Sequence, residues 1–460
     1  MNWNLKKYIK LRGVQILALG FVVIILVGTI LLTLPISTAS GESTSFLDAL
    51  FTATSAVCVT GLIVVDTGSY WNMFGQTIIM ILIEIGGLGF MSFTTLIAII
   101  LGKKITLRER LILQDAMNTF NIQGLVKMVK YVLVFTVSVQ FFGALLLSTQ
   151  FIPEFGFGKG AFYSLFHSIS AFCNAGFDVL GKGNSLISFN TNVVVIMVLS
   201  ILIIIGGLGF TVWSELYTCK SIRRVSIHSK MVLLITTGLV VGGTLLMFLF
   251  EHNNPQTISK MSFINKLTNS FFASVTPRTA GFNSISTSGM TTAGQFLTII
   301  LMFIGGSPGS TAGGIKTTTI GVLIVTVVSV IRGREDSEVF KRRFSKDLVY
   351  KAFTLLFIGF TLVVIVTMLL SYTEKGTTFM SIFYETISAF GTAGLTLGLT
   401  PDLSNIGRIL IIIMMYLGRV GPLTVVLSLT KKKGKIWCEI SGRKNFNRLG
   451  EEIWQILNNL

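Results

Sequence analysis

The chain has 460 residues, of which 51% are hydrophobic and 12% are charged, and its mean hydropathy is +0.76. Soluble domains carry about 25% charged residues, so this composition excludes a large soluble enzyme and indicates a polytopic helical membrane protein. The net charge of +17 does not indicate nucleic acid, because the basic residues lie in short stretches between apolar runs. Such stretches are cytoplasmic in membrane proteins.

Eight long apolar runs predict eight membrane-spanning helices, since a span needs about 20 apolar residues. They lie near residues 14–34, 74–101, 129–151, 191–217, 231–250, 292–331, 352–371 and 406–429. Each pair of runs encloses an apolar segment of about 12 residues, which is too short to cross a bilayer and predicts a re-entrant half-helix. These segments lie near residues 45–57, 161–173, 263–275 and 379–390. The even number of spans places both termini in the cytoplasm.

Internal repetition is the main feature of the chain, because each half-helix ends in a related glycine-bearing string. The strings are Ser55-Ala-Val-Cys-Val-Thr-Gly61, Ser170-Ala-Phe-Cys-Asn-Ala-Gly176, Val275-Thr-Pro-Arg-Thr-Ala-Gly281 and Ser388-Ala-Phe-Gly-Thr-Ala-Gly394. A second string follows one span later, as Ile85-Gly-Gly-Leu-Gly-Phe90, Ile205-Gly-Gly-Leu-Gly-Phe210, Ile304-Gly-Gly-Ser-Pro-Gly309 and Leu417-Gly-Arg-Val-Gly-Pro422. We therefore expect an all-α membrane protein with four parallel repeats of transmembrane helix, re-entrant pore half-helix, filter loop and transmembrane helix around a central pore.

The repeats divide the chain into six predicted parts. These are a cytoplasmic N-terminus (1–13), repeat 1 (14–101), repeat 2 (128–217), repeat 3 (229–331), repeat 4 (346–429) and a cytoplasmic C-terminal tail (430–460). The four repeats are called copies 1 to 4 below.

The glycine loops after the half-helices predict an ion-selectivity filter. Irregular backbone at membrane depth is stable only where protein buries it or where it lines a watery cavity. The half-helices direct the negative ends of their dipoles at the axis, and carbonyl oxygens there can replace the hydration shell of a potassium ion. The predicted filter residues are Val59, Thr60, Gly61, Asn174, Ala175, Gly176, Thr279, Ala280, Gly281, Thr392, Ala393 and Gly394. For the Gly-Gly-Leu-Gly strings, which we expect inside full spans, close helix packing is the better interpretation.

The sixth span is predicted to be broken by a gate loop at 305–317. Pro308 and five glycines cannot sustain a helix there. The predicted gate residues are Gly305, Gly306, Ser307, Pro308, Gly309, Ser310, Thr311, Ala312, Gly313, Gly314 and Lys316, together with Arg419 in the eighth span. Charges inside a membrane are costly and mark function by default, and Arg419 could hold loop carbonyls in place and repel a cation in the pore. The alternatives are an inert kink and a structural pairing of Arg419.

Other charged residues receive weaker predictions. Glu84 in the second span is expected to make structural hydrogen bonds rather than functional ones, and Arg278 to brace the third loop from behind. Asp48 and Glu385 are expected to be solvated acids at the outer mouth. The histidines and cysteines have no metal-ligand spacing, and we find no nucleotide-binding motif and no paired carboxylates for acid–base catalysis. An enzyme is not predicted.

The four repeats, the loop at 305–317 and Arg419 resemble the Trk/Ktr/HKT superfamily of potassium transporters, and the short N-terminus is most similar to the Ktr membrane subunit. The resemblance implies potassium uptake across the cell membrane, often dependent on sodium. It also implies a homodimer with one complete pore in each monomer, controlled by a cytoplasmic ring of nucleotide-binding subunits. Gly61 favours potassium, because some plant members with serine there prefer sodium. In copy 3, Val275-Thr-Pro-Arg replaces the Ser-Ala-Phe pattern, so that loop could differ in shape.

Two alternatives stay open at this point. One is a sodium-selective or non-selective cation transporter of the same fold. The other is an ion-coupled secondary transporter, although such proteins commonly have inverted repeats and charged midplane sites. Neither an organic cofactor nor nucleic acid is expected, and the basic cytoplasmic stretches suit anionic lipid headgroups as well as a protein partner.

Overall fold

The computed structural model describes residues 13–89, 125–181, 183, 185–219, 224–334, 336–339 and 342–421. The predicted cytoplasmic tail at 430–460 and nearly all of the predicted N-terminus at 1–13 lie outside these residues. The predicted second spans of copies 1 and 4 continue beyond Gly89 and Gly421, also outside the described part.

Helices make up almost all regular structure in the described residues, so the all-α prediction is confirmed. They are α1 (Gly13–Thr33), α2 (Phe46–Val57), α3 (Thr67–Tyr70), α4 (Met73–Leu88), α5 (Leu125–Phe155), α6 (Phe157–Phe172), α7 (Val193–Leu208) and α8 (Phe210–Thr218). They continue with α9 (Ile227–Glu251), α10 (Phe263–Val275), α11 (Thr292–Phe303), α12 (Thr317–Ile331), α13 (Lys346–Thr373), α14 (Phe379–Gly391) and α15 (Asn405–Val420). A small antiparallel hairpin of β1 (Glu338–Val339) and β2 (Arg342–Arg343) joins α12 to α13.

One long apolar helix begins each copy. Among the described helices, α1, α5, α9 and α13 are long and apolar enough to cross a membrane. Large apolar side chains on their outer faces are exposed, as at Ile30, Phe142, Leu245 and Met368. Because a bilayer surrounds such helices with hydrocarbon, this surface is suited to lipid.

The half-helices α2, α6, α10 and α14 form the buried centre of the molecule. Three of them begin with a serine or threonine N-cap that accepts a hydrogen bond from the third residue of the helix. Each contributes a fully buried phenylalanine, namely Phe51, Phe172, Phe272 and Phe390. The apolar C-terminal halves are therefore held inside the ring of longer helices.

The second glycine string ends helices, which corrects the expectation that it lies inside full spans. Helices α4, α7 and α15 each have 16 residues and stop before Gly89, Gly209 and Gly421, whose φ values are 82°, 92° and 91°. A glycine with positive φ is a common helix terminator, because other residues are strained there. After Gly209 the chain turns by 92° into α8.

Close packing at these strings is also present. A Cβ atom added to Gly86, Gly206 or Gly418 would collide with the carbonyl oxygen of Val57, Phe172 or Phe390, respectively. Each of these carbonyls lies in the last turn of the half-helix of the same copy. The first glycine of the string therefore lets the half-helix end against the second helix of its copy.

Candidate ion pathway

The four glycine loops have one backbone conformation. In every copy, φ is positive at the glycine and at the residue two positions before it. The values are 57° and 89° at Val59 and Gly61, 60° and 70° at Asn174 and Gly176, 74° and 79° at Thr279 and Gly281, and 50° and 77° at Thr392 and Gly394. Positive φ is rare and strained for β-branched residues such as valine and threonine. The surrounding structure must therefore impose this shape in each copy.

The loops form a closed ring in which each glycine faces the next copy. A Cβ atom added to Gly61 would lie 2.5 Å from the Ala175 oxygen, one on Gly176 2.6 Å from the Ala280 oxygen, and one on Gly281 2.9 Å from the Ala393 oxygen. A Cβ atom on Gly394 would collide with the Thr60 oxygen and close the circle. The structure thus brings the twelve predicted filter residues together around one axis. Backbone carbonyls approach one another there, and a side chain on any of the glycines would meet them.

Backbone hydrogen bonds behind each loop hold the strained conformation. The amide nitrogens of Thr60, Ala175 and Ala393 donate to the carbonyl oxygens of Ser55, Ser170 and Ser388 at 2.7–2.8 Å. The side chain of Ser55 also accepts a hydrogen bond from the Gly61 nitrogen at 3.0 Å. In copies 1, 2 and 4 the partner thus lies five residues before the donor, whereas in copy 3 the Ala280 nitrogen donates to the Thr276 oxygen at 2.9 Å.

The third loop keeps this shape although its sequence departs from the pattern. The Thr276 hydroxyl donates to the Phe282 oxygen at 2.7 Å, and the Ser170 hydroxyl donates to the equivalent Phe177 oxygen at 2.7 Å. Thr276 therefore replaces the missing serine from the neighbouring position. The positive φ values of Thr279 and Gly281 match those of the other copies, but the Ala280 nitrogen donates to the Thr276 oxygen and not to that of Val275, so the third loop differs in its backbone hydrogen bonds as expected.

Arg278 lies behind the third loop. Its side chain is 6% exposed, and its Nη2 atom donates to the Thr236 hydroxyl on α9 at 3.4 Å. The guanidinium thus connects the filter loop of copy 3 to the first helix of the same copy.

The loop between α11 and α12 closes on itself through its two ends. The Gly305 nitrogen donates to the Ile315 oxygen at 2.9 Å, and the Thr317 nitrogen donates to the Gly306 oxygen at 3.0 Å. These bonds form a short parallel bridge, so the intervening residues project as one unit.

The projecting part of this loop adjoins the start of two filter loops. On one side, the Ser307 and Thr311 nitrogens donate to the Gly207 and Gly206 oxygens at 3.0 and 3.3 Å. The Thr311 hydroxyl donates to the Phe172 oxygen at the end of α6 at 3.1 Å. On the other side, a Cβ atom on Gly313 would collide with Thr392 in copy 4. The loop of copy 3 therefore spans from copy 2 to copy 4.

Arg419 ties the same loop to the rest of the ring. Its guanidinium donates to the Thr311 oxygen in the loop and to the Gly86 and Gly87 oxygens at the end of α4. Lys316 Nζ donates to the Ala312 oxygen at 2.5 Å. Among the described residues, no carboxylate forms an ion pair with either cation. Two positive charges without a paired anion are thus placed next to the ring.

Glu84 makes the structural hydrogen bonds expected of it. Its Oε2 atom accepts from Gln140 Nε2 at 2.8 Å and from Cys173 Sγ at 3.3 Å. The acid therefore links α4 to copy 2.

Of the two acids expected to be solvated, Asp48 is partly exposed and Glu385 is buried. Asp48 forms an ion pair of 2.5 Å with Arg408. Glu385 is fully buried and accepts from the hydroxyls of Thr400 and Thr396 at 2.5 and 2.7 Å. Both acids hold outer segments of the fold in place, and the prediction of a solvated acid is wrong for Glu385.

Sequence reasoning missed Asp178, which follows the second filter glycine by two residues. Burial, together with the nearby Asp66 carboxylate, raises the pKa of Asp178 to about 7. The sequence feature that could have identified Asp178 is its position, because no other copy has an acidic residue two positions after its filter glycine.

Sequence reasoning also missed Glu251 and Glu374 at the ends of the first helices of copies 3 and 4. Glu251 accepts from the nitrogen and hydroxyl of Thr291 at 2.9 and 2.7 Å, and Glu374 accepts from those of Ser404 at 3.1 and 2.6 Å. Thr291 and Ser404 are the N-caps of α11 and α15, so each acid joins the two helices of its copy. The sequence feature that could have identified both residues is an acidic residue at the end of a long apolar run.

Comparison with known proteins agrees with this architecture. The potassium transporter TrkH from Vibrio parahaemolyticus has the same fold, with a TM-score of 0.72 over 92% of this chain and 86% of that one, at 19% identity. The potassium/sodium uptake protein NtpJ of Enterococcus hirae is 49% identical over 93% of this chain and 94% of its own length. The Ktr system potassium uptake protein B of Bacillus subtilis is 43% identical over 92% and 94%.

A family match covers almost the whole molecule. The sequence model of the TrkH family, described as a cation transport protein, matches residues 10–438 and so includes all four glycine loops, the loop at 305–317 and Arg419. The chain belongs to the TrkH family of cation transport proteins.

Proposed function

We propose that this protein takes up potassium ions across the cell membrane through a channel-like pore. The closed ring of four glycine loops carries the proposal, because it collects backbone carbonyls around one axis and leaves no room for side chains. Relatives named as potassium or potassium/sodium uptake proteins support it. The protein acts as a transporter and not as an enzyme, and both termini lie in the cytoplasm.

Selectivity arises at the ring. An entering ion exchanges its water for the carbonyl oxygens of residues such as Thr60, Ala175, Ala280 and Ala393. The half-helix dipoles favour a cation at this point, and the local hydrogen bonds behind each loop keep the carbonyls from collapsing onto a smaller ion. Sodium passes less readily because the fixed ring does not adapt to it.

Gating arises at the loop formed by 305–317. The loop and the charges of Lys316 and Arg419 stand between the ring and the cytoplasm, where they obstruct and repel a cation. Opening requires the loop to give up its contacts with copies 2 and 4 and its hydrogen bond from Arg419. Because these contacts are few and polar, the change can be driven from outside the loop.

Regulation belongs to a cytoplasmic partner. The protein forms a homodimer on which a ring of nucleotide-binding subunits is seated, and the name of the Ktr system relative supports a multi-subunit arrangement. The predicted contact stretches are the loops near 102–127 and 331–351 and the tail at 430–460. The first lies almost entirely and the last entirely outside the described residues, whereas the second contains the β1–β2 hairpin.

Rubidium uptake into liposomes that contain the purified protein tests the proposal. Uptake should exceed that of protein-free liposomes, should be inhibited by external potassium and should increase with sodium present. Equal or greater uptake of radioactive sodium would contradict potassium selectivity and would favour the sodium-selective or non-selective alternative. Absence of any cation uptake, with and without the regulatory subunit, would overturn the pore assignment.

A further inference from the structure

Helix α8 begins in direct contact with the gate loop. The Phe210 nitrogen, in its first turn, donates to the Gly309 oxygen at 2.9 Å. A Cβ atom on the preceding Gly209 would lie 2.8 Å from the Pro308 oxygen. The 92° turn between α7 and α8 therefore takes place against the loop, and the start of α8 limits where Pro308 and Gly309 can lie.

The body of α8 is fixed to its surroundings. Phe210 and Val212 are buried, and Val212 packs in a small apolar cluster with Val232 of α9. Trp213 donates from Nε1 to the Ile205 oxygen at 2.9 Å. With nine residues, the helix is about 13 Å long. A short helix that is packed along its body couples the positions of its two ends.

The C-terminal half of α8 is held in place by hydrogen bonds to one carboxylate. Glu215 Oε2 accepts hydrogen bonds from the nitrogen and hydroxyl of Ser226 at 3.2 and 2.8 Å, and from the hydroxyl of Ser229 at 2.7 Å. Ser226 is the N-cap of α9, and a negative charge is favourable at a helix N-terminus. Charge-assisted bonds of this kind are stronger than neutral ones, so Glu215 makes a firm contact.

We infer that α8 is a strut between the start of α9 and the gate loop, and that Glu215 is a positioning residue that keeps the gate loop in its closed place. The inference rests on the proposed gating function of that loop. Release of Glu215 frees one end of the helix, and the hydrogen bond from Phe210 to Gly309 then constrains the loop less. The start of α9 at Ile227 lies within the basic stretch at 220–230, which the charge pattern places in the cytoplasm. A partner that moves this stretch could therefore act on the gate through α8.

The test compares rubidium flux without regulatory subunits in liposomes. Glu215→Ala should raise flux by about tenfold, since hydrogen bonds to a charged group are strong enough to shift a gating equilibrium by that factor. Glu215→Gln should give a flux between those of the parent and Glu215→Ala, because its neutral amide oxygen keeps fewer and weaker bonds than the carboxylate. Tyr217→Ala is the matched control, since this side chain on the same helix is 86% exposed, and it should leave flux unchanged.

A double variant separates a positioning role from a merely structural one. If Glu215 acts through the gate loop, Glu215→Ala combined with Arg419→Ala should raise flux by less than the product of the two single effects.

Ser229→Ala tests the same contact if Glu215→Ala does not fold. It removes one of the three hydrogen bonds and should give a smaller rise in flux than Glu215→Ala. Unchanged or lower flux in folded Glu215→Ala or Ser229→Ala would overturn the inference. A flux increase in the double variant equal to the product of the two single increases would overturn it as well.

Failure of the inference can be told from failure of the gate proposal. If Arg419→Ala raises flux and the Glu215 and Ser229 variants do not, only the strut is wrong. If none of these variants raises flux, the gate assignment is wrong and the strut falls with it.

Discussion

The filter ring and the gate loop adjoin each other but are stabilised in opposite ways. In the filter, each loop has backbone or hydroxyl hydrogen bonds to partners of its own copy, such as Ser55 for Thr60 and Thr276 for Phe282, and Asn174 of copy 2 also contacts Thr279 of copy 3. The gate loop occurs once, and it is held by other copies, through Phe172 of copy 2 and Arg419 of copy 4.

This difference explains how one chain can combine a fixed part with a movable one. The four filter loops repeat one pair of positive φ values, so the ring is uniform around its axis. A loop held from outside changes position whenever its neighbours do. We therefore expect variants in the filter to change selectivity and variants around the gate to change flux.

The largest effect is expected from Gly281→Ser. The added Cβ would lie 2.9 Å from the Ala393 oxygen, and φ at this position is 79°, so the variant meets both a collision and backbone strain. Potassium-over-sodium preference should fall by about 100-fold, in line with a strain of a few kcal/mol. Gly238→Ser in α9 is the matched control, because the added Cβ would meet nothing within 4 Å. This variant should keep the selectivity of the parent protein. Unchanged preference in Gly281→Ser would break the account of the ring.

A smaller effect, a rise in flux and not a loss of selectivity, is expected from Arg419→Ala. The variant removes a positive charge next to the ring and the hydrogen bonds to Thr311, Gly86 and Gly87. Flux without regulatory subunits should rise by about tenfold, as the loss of strong charged hydrogen bonds permits. Rubidium uptake measures it, and Lys375→Ala, which removes an exposed positive charge after α13, is the control for loss of charge.

Variants of Thr276 test a single hydrogen bond within the filter. Thr276→Val keeps the shape of the side chain but leaves the Phe282 oxygen without its hydroxyl donor. An unsatisfied buried carbonyl costs about 1–3 kcal/mol, so we expect selectivity to fall by about fivefold. Thr276→Ser restores the hydroxyl and should restore selectivity. Equal selectivity in all three proteins would show that the third loop does not depend on this bond.

The smallest effect concerns Asp178 beyond the ring. Its pKa is raised to about 7 by burial and by Asp66, so the carboxyl is mostly neutral at pH 6 and mostly ionised at pH 8. The negative charge attracts cations, and the KM for rubidium should therefore fall by about twofold between pH 6 and pH 8. Asp178→Asn should abolish this change while leaving selectivity intact. A variant with the parent pH profile would contradict the assignment.

The repeats made the fold and the filter predictable from the sequence. Four half-helices of similar length, each followed by a glycine at the same place, reinforce one another, whereas a single glycine would have meant little. The positive φ at Val59 was not predictable, because valine disfavours it and only the surrounding ring imposes it.

Contacts between distant residues could not be predicted in the same way. Arg408 and Asp48 are 360 positions apart, and no local pattern connects them. Helix α7 ends at Gly209, whose φ is 92°, so a helical pattern through that glycine was misleading. Thr276 compensates for a missing serine through geometry that the repeat alignment hides.

The central claim is that selectivity lies in the ring and gating in the single loop, so that each can change without the other. The most direct test measures the ratio of rubidium to sodium uptake in a variant with a shortened loop at 305–317, without regulatory subunits. The account predicts a flux well above that of the parent protein at an unchanged ratio. A ratio that falls as the flux rises would contradict it, because the loop would then be part of the filter.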